Sequence, residues 1–319
     1  MNSLKFLSLG LGLFLVLGVS LLIGPGDFKI GDEVFLSILW SIRLPQVSMS
    51  FLVGGLLSLS GLLFQAMFKN DLATPYTLGV SSGAALGASI YFTLGLSLTI
   101  PFFNSVTIFS FITALISVLI VYTMAVRNGR VSTHSLLLSG VVLSMICSSL
   151  ILFFQFLGNE RDALQVVRWL MGGLDVVGFD STIRLLPVTL LAICFSMMNS
   201  RKLNIMYLGD EMAITRGVDI HKFRKLLYLL NSIVVAMVVA ECGPIGFVGL
   251  LGPHMAKKIF GYKHQLLIPS SFLLGGLLLM MCDLLSRNIM ADTQLPVGVM
   301  TALLGGPFLL FLLSRPRKV

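Results

Sequence analysis

The chain has 319 residues, 56% of them hydrophobic and only 11% charged, with a mean hydropathy of +0.96. That excludes a water-soluble globule, which carries about twice this charge. The net charge of +8 in so apolar a chain reports membrane orientation rather than nucleic-acid binding.

Taken in order, the apolar runs fit spans at roughly 4–23, 47–68, 76–96, 105–126, 135–157, 182–199, 225–242, 246–260, 266–287 and 296–313, ten in all. The first run has no A-x-A site after it, so it is expected to stay as a membrane helix rather than be cleaved. In the second, Gly54, Ser58 and Gly61 form a stripe of small residues. In the third, Gly79, Gly83 and Gly87 recur every four positions, a spacing that lets helices approach closely. Between the fifth and sixth runs, Leu164, Val167, Trp169 and Leu170 in the 161–173 stretch predict a short amphipathic helix at the outer mouth. The seventh and eighth runs, broken by CGPIGFVG, fit either two spans or a re-entrant pair. Cys147, Cys194, Cys242 and Cys282 stand singly in apolar runs, as small core residues do.

Charge supplies the sidedness. With the N-terminus in the cytoplasm, sixteen of the 22 Lys and Arg fall inside, leaving Lys29, Arg43, Arg161, Arg168, Arg184 and Arg287 outside. Both termini are then cytoplasmic, and the chain is one transmembrane domain over 1–319. Between the sixth and seventh spans the charge returns at Asp210, Glu211, Arg216, Asp219 and Lys222, interleaved with Met212, Ala213 and Ile214. Acidic residues at the start and Gly217 after the last turn punctuate a pair of very short helices joined at Gly217. A solvated loop would not need the apolar residues. No lysine precedes Ser or Thr, so there is no Walker A loop, and no H-E-x-x-H zinc-protease motif is present. Any ATP-driven step therefore belongs to another polypeptide.

Four blocks, RLPQVSMSFLVGGLLSLSGLLFQAMFKNDLATPYTLGVSSGAALGA (43–88), LGDEMAITRGVD (208–219), GPIGFVGLLGPHMAKKIFG (243–261) and LPVGVMTALLGGPFLLFLL (295–313), resemble the FecCD permease family of ABC importers in family order. The resemblance implies an all-α polytopic protein of about ten helices with the type II ABC importer permease fold. It implies import of a metal chelate, a ferric siderophore first and haem or cobalamin next. The partners it implies are two ATPase subunits, an extracytoplasmic binding protein and a second permease, identical or paralogous. The setting is a bacterial or archaeal cytoplasmic membrane, with no nucleic acid, and with no cofactor or metal in this chain. Residues 208–220 become the coupling helices, with Gly209, Asp210, Glu211, Met212, Ala213, Arg216 and Gly217 meeting the ATPase. Arg43 and Arg287 become docking points for the binding protein, where relatives often carry a further arginine in place of Gln46. Ser132, Thr133 and His134 become the cytoplasmic gate of a pathway lined by the fifth and tenth helices and 161–173. His254 and Asp283 match structural family positions. Glu241 departs from the family's small apolar residue and is either packed in its protonated form or turned to a polar cavity. The rival reading is an ion-coupled secondary transporter with Glu241 and Asp283 as proton carriers.

Overall fold

The computed structural model describes residues 2–24, 33–96, 100, 102–127, 130–174, 176–289 and 294–314; the predicted external Lys29 lies outside them. Among the described residues seven helices are long and apolar enough to cross a membrane, and α4 (Val80–Leu94) and α14 (Val297–Ser314) are shorter apolar helices; the 13-residue α12 (Val248–Phe260) stands where the eighth span was expected. The long ones are α1 (Asn2–Leu22), α3 (Leu44–Phe68), α5 (Ser105–Ala125), α6 (Thr133–Leu157), α8 (Asp180–Met198), α11 (Ile220–Cys242) and α13 (His264–Asn288). α3 is preceded without a break by α2 (Glu33–Ile38) and a π-turn (Leu39–Arg43), so the second span begins earlier than its hydropathy suggests. A two-stranded antiparallel pair, β1 (Val126–Arg127) and β2 (Arg130–Val131), stands between α5 and α6.

α3 is the axis of the molecule. It is buried along nearly its whole length, because its stripe of small residues lets α12 and α13 lie backbone to backbone against it. Gly54 faces the Gly275 carbonyl, Gly61 faces the Gly249 carbonyl, and Gly252 and Gly275 face Ser58. The Ser58 hydroxyl donates to the Ser271 carbonyl at 2.6 Å. Hydrophobic burial drives little helix association in lipid, so close van der Waals contact and interhelical hydrogen bonds carry this seam. A second, smaller seam sets Gly83 and Gly87 of α4 against Ser117, Thr113 and Phe109 of α5. Gly79 does not share it: at φ +78° it forms the left-handed N-cap of α4.

The doubtful pair resolves into a full crossing and a partial one. α11 has 23 residues, whereas the 13 residues of α12 span about 20 Å, short of the ~30 Å apolar core. The linking backbone is buried in protein rather than lipid. Tyr76 donates to the Ile245 carbonyl, and Gly173 N–H donates to the Cys242 carbonyl at 2.9 Å. That satisfies polar groups lipid could not. α7 (Glu160–Leu170), capped by Asn159 and Asp162, is the expected amphipathic helix, and its end meets this linker and the start of α14 through Gly298 N–H to the Gly172 carbonyl.

Candidate coupling surface and transport face

At the end of the bundle that carries Lys69, Lys222, Lys257 and Lys263, α8 runs into α9 (Ser200–Leu208) and then α10 (Asp210–Thr215). The elbow between them is Gly209 at φ +133°, and the exit turn is Gly217 at φ +76°, both conformations that favour glycine. The joint therefore lies one helix earlier than the sequence suggests, and the expected second short helix is the first turn of α11, capped by Asp219 accepting from Lys222 N at 3.1 Å.

The outward face of this segment is mixed. Met212 is 45% exposed and Ile214 63%, beside exposed Leu208, Glu211 and Arg216, whereas Ala213 is fully buried. Ala213 was expected on the docking face; it points into its own chain, because a six-residue helix shows only part of its surface and the small residue takes the side pressed against the bundle. Asp210, its side chain 43% exposed, reaches two cations of its own chain. Lys69 Nζ lies 2.6 Å from its carboxylate, and Arg224 Nη2 donates to both carboxylate oxygens at 2.8 Å. Burial alone would raise the Asp210 pKa, but these two cations outweigh it and hold the carboxyl below its ordinary range. α9 is pinned separately, Asn204 Oδ1 accepting from His264 N at 2.9 Å.

At the opposite end, Arg43 and Arg287 are not surface charges. They are 5% and 3% exposed. Arg43 donates to the Leu21 and Leu22 carbonyls at 2.9 and 3.0 Å, closing the C-terminus of α1, and lies over the Phe35 ring. Arg287 pairs with Asp283 at 2.7 Å one turn earlier, and Gln46 donates to the same aspartate at 3.1 Å. A guanidinium next to unpaired helix carbonyls or a buried carboxylate is held there by the cost of leaving either bare. The expected ring of outward arginines is therefore replaced by internal ties, with Gln46 as part of one. Glu241 is packed, as one of its two expected settings had it, and Arg184 grips it with a fork, Nε to Oε1 at 2.6 Å and Nη2 to Oε2 at 2.9 Å. Arg184 also donates to Ser181 Oγ at 2.8 Å and to the Phe102 carbonyl.

Ser132 caps α6, its Oγ accepting from Ser135 N at 3.3 Å, while Thr133 is half-buried and His134 exposed. Above them α6 leaves Leu138, Val141, Met145, Leu152 and Phe156 uncovered. Along this face Tyr76, Thr77, Ser144, Met145, Ser148 and Ser149 line an open groove of about 510 Å³. The His254 ring meets Phe308 of α14 edge-on.

A sequence profile described as the FecCD transport family matches residues 9–315. The chain belongs to the FecCD transport family. It is 32% identical to the iron(3+)-hydroxamate import permease FhuG of Bacillus subtilis over 317 residues, covering 97% of this chain and 93% of that one. It is 37% identical to the cobalamin import permease BtuC of Halobacterium salinarum, covering 88% and 74%. Among solved structures it superposes on an inward-facing metal-chelate type ABC transporter with a TM-score of 0.88 at 27% identity, covering 99% of this chain and all (100%) of that one. As a FecCD protein it is multi-pass.

Three positions that matter to this FecCD site escaped the sequence reading: Arg184, Lys69 and Arg224, the partners of Glu241 and Asp210. A chain with only 14 Asp and Glu offers few carboxylates, and each one within or beside a span demands a cation. That rule would have asked for the partner without naming it. Glu241 and Asp283, the two carboxylates the ion-coupled alternative called on, are both paired with arginines.

Proposed function

We propose that this chain is the membrane-spanning subunit of an ATP-driven importer of a metal chelate, with a ferric siderophore ahead of haem and cobalamin. The observation that carries the reading is the α9–α10 segment: an exposed apolar face of Leu208, Met212 and Ile214 set among charges, at the basic end of a FecCD fold. Such a face suits the groove of a separate ATPase subunit. Two ATPase subunits lie below a pair of permeases, identical or paralogous, and an extracytoplasmic binding protein lies above. Transport proceeds by alternating access at the permease pair, past the α6 groove and a gate at Ser132, Thr133 and His134. The chain binds and moves cargo, and the ATPase chains carry the chemistry. The near end-to-end match to a hydroxamate permease favours the siderophore.

Met212→Asp with Ile214→Asp is expected to abolish retention of the ATPase subunit on pull-down and to leave the permease folded and inserted. Full retention would remove the docking reading. Vesicles of the assembled transporter, offered iron-labelled ferric hydroxamate, labelled haem and labelled cobalamin in competition, are expected to accumulate iron first.

Orientation has its own test. With Cys194, the exposed native thiol, replaced by Ser, a cysteine at Asn159 is expected to react with an impermeant maleimide only from outside the cell. One at Tyr262 should react only from the cytoplasm. Reversed labelling would invert the topology.

A further inference from the structure

The short helix α10 lies between two glycines, Gly209 and Gly217, both at positive φ and both with open space where a side chain would be. A six-residue helix between two such swivels is free to turn by itself unless something holds it. Buried Ala213 seats its inner side, and the Asp210 carboxylate ties it to the helices behind. Lys69 reaches it from the C-cap of α3, where it occupies the left-handed region at φ +50°, an unfavourable place for a lysine. Arg224, buried in the first turns of α11, takes its other side. α3 is in turn locked to α12 and α13 by the glycine seam, and near its end Lys257 of α12 contacts Gln65 and Asp71, each at 2.7 Å. α9 is tied to the start of α13 by Asn204. Both halves of the elbow thus end on one rigid block.

We propose that Asp210 is a positioning residue that makes α10 move as one body with α3, α12 and α13, so that displacement of α10 is delivered to that block instead of being lost at Gly209 and Gly217. The proposal rests on the reading of α9–α10 as the segment that meets the ATPase. Backbone strain at Lys69 persists because its ammonium is needed at Asp210.

The test uses the transporter assembled with its ATPase subunits and binding protein, with spin labels at Thr215 of α10 and Lys258 of α12. The parent protein is expected to give a single narrow Thr215–Lys258 distance distribution with and without ATP–vanadate. Asp210→Ala should lose that single narrow peak while retaining the ATPase subunit on pull-down, and Asp210→Glu should restore it. Stimulation of ATP hydrolysis by the binding protein is expected to fall about tenfold in Asp210→Ala, a usual size for coupling between two sites. Lys69→Gly separates coupling from stability: glycine relieves the left-handed backbone, so thermal stability holds or rises while the peak still broadens. A narrow peak in Asp210→Ala would overturn the proposal. So would loss of the ATPase subunit from that variant alone, which would make Asp210 an assembly residue and leave the docking reading standing. Failure of the Met212 and Ile214 variants to release the ATPase would overturn both together.

Discussion

Replacing Glu241 with alanine is expected to be among the most damaging single changes in the chain, costing about 3–5 kcal/mol because it strands the Arg184 guanidinium in a buried site. Glu241 and Arg184 are 1% and 9% exposed at their side chains. They join the start of α8 to the end of α11, and Arg184 also closes down on Ser181 and Phe102. Arg184→Ala should do comparable harm by leaving the carboxylate bare. The double change Arg184→Met, Glu241→Leu removes both charges at similar volume and should regain most of the loss, although the Phe102 carbonyl then loses a donor. The measurement is thermal unfolding of the detergent-purified parent, Arg184→Met, Glu241→Leu and the double, the four members of a closed cycle, with the two alanine variants alongside. If the double variant melted as low as the two singles added together, the pair would not act as a unit. If Glu241→Ala melted like the parent, the buried fork would hold nothing.

Gly61→Leu is expected to leave no folded permease, and even Gly61→Ala should cost about 1–3 kcal/mol or more through overpacking. A β-carbon at Gly61 would collide with the Gly249 carbonyl, which is main chain and cannot rotate aside. Relief requires α12 to move, and α12 is held by Lys257 at one end and by the buried linker at the other. The matched control is Gly10→Ala on α1, where nothing stands within 4 Å and the change should be neutral or slightly stabilising. Yield of monodisperse protein and its melting point decide the case. Equal tolerance at the two glycines would mean that the α3–α12 contact is looser than its geometry.

The long spans were legible because their signal is local: each needs a run of apolar residues, and seven of the described helices have one of full length. The small-residue stripe at Gly54, Ser58 and Gly61 was legible for the same reason, and the structure supplies only the identity of its partners. What was not legible is the direction of polar side chains. Arg43 and Arg287 stand at helix ends, where snorkelling outward and capping a neighbour inward look alike in sequence. The choice depends on whether a bare carbonyl or carboxylate lies within reach, as Leu21, Leu22 and Asp283 do. Ala213 fails similarly. In a helix of six residues the inward side is set by where Gly209 bends the chain, a long-range outcome with no periodicity to announce it. The pairing of Asp210 with Lys69 crosses 141 positions and leaves no local trace.

The backbone seam between α3, α12 and α13 divides the molecule by its tolerance to change. Along the seam each glycine faces a neighbouring main chain or Ser58, so a side chain there has nowhere to go. Along α6 the side chains at Val141, Met145 and Ser149 meet no such wall. A lineage can therefore drift freely on the face toward the groove while inheriting its frame unchanged. The groove can then change shape by small steps on one helix while the seam stays as it is.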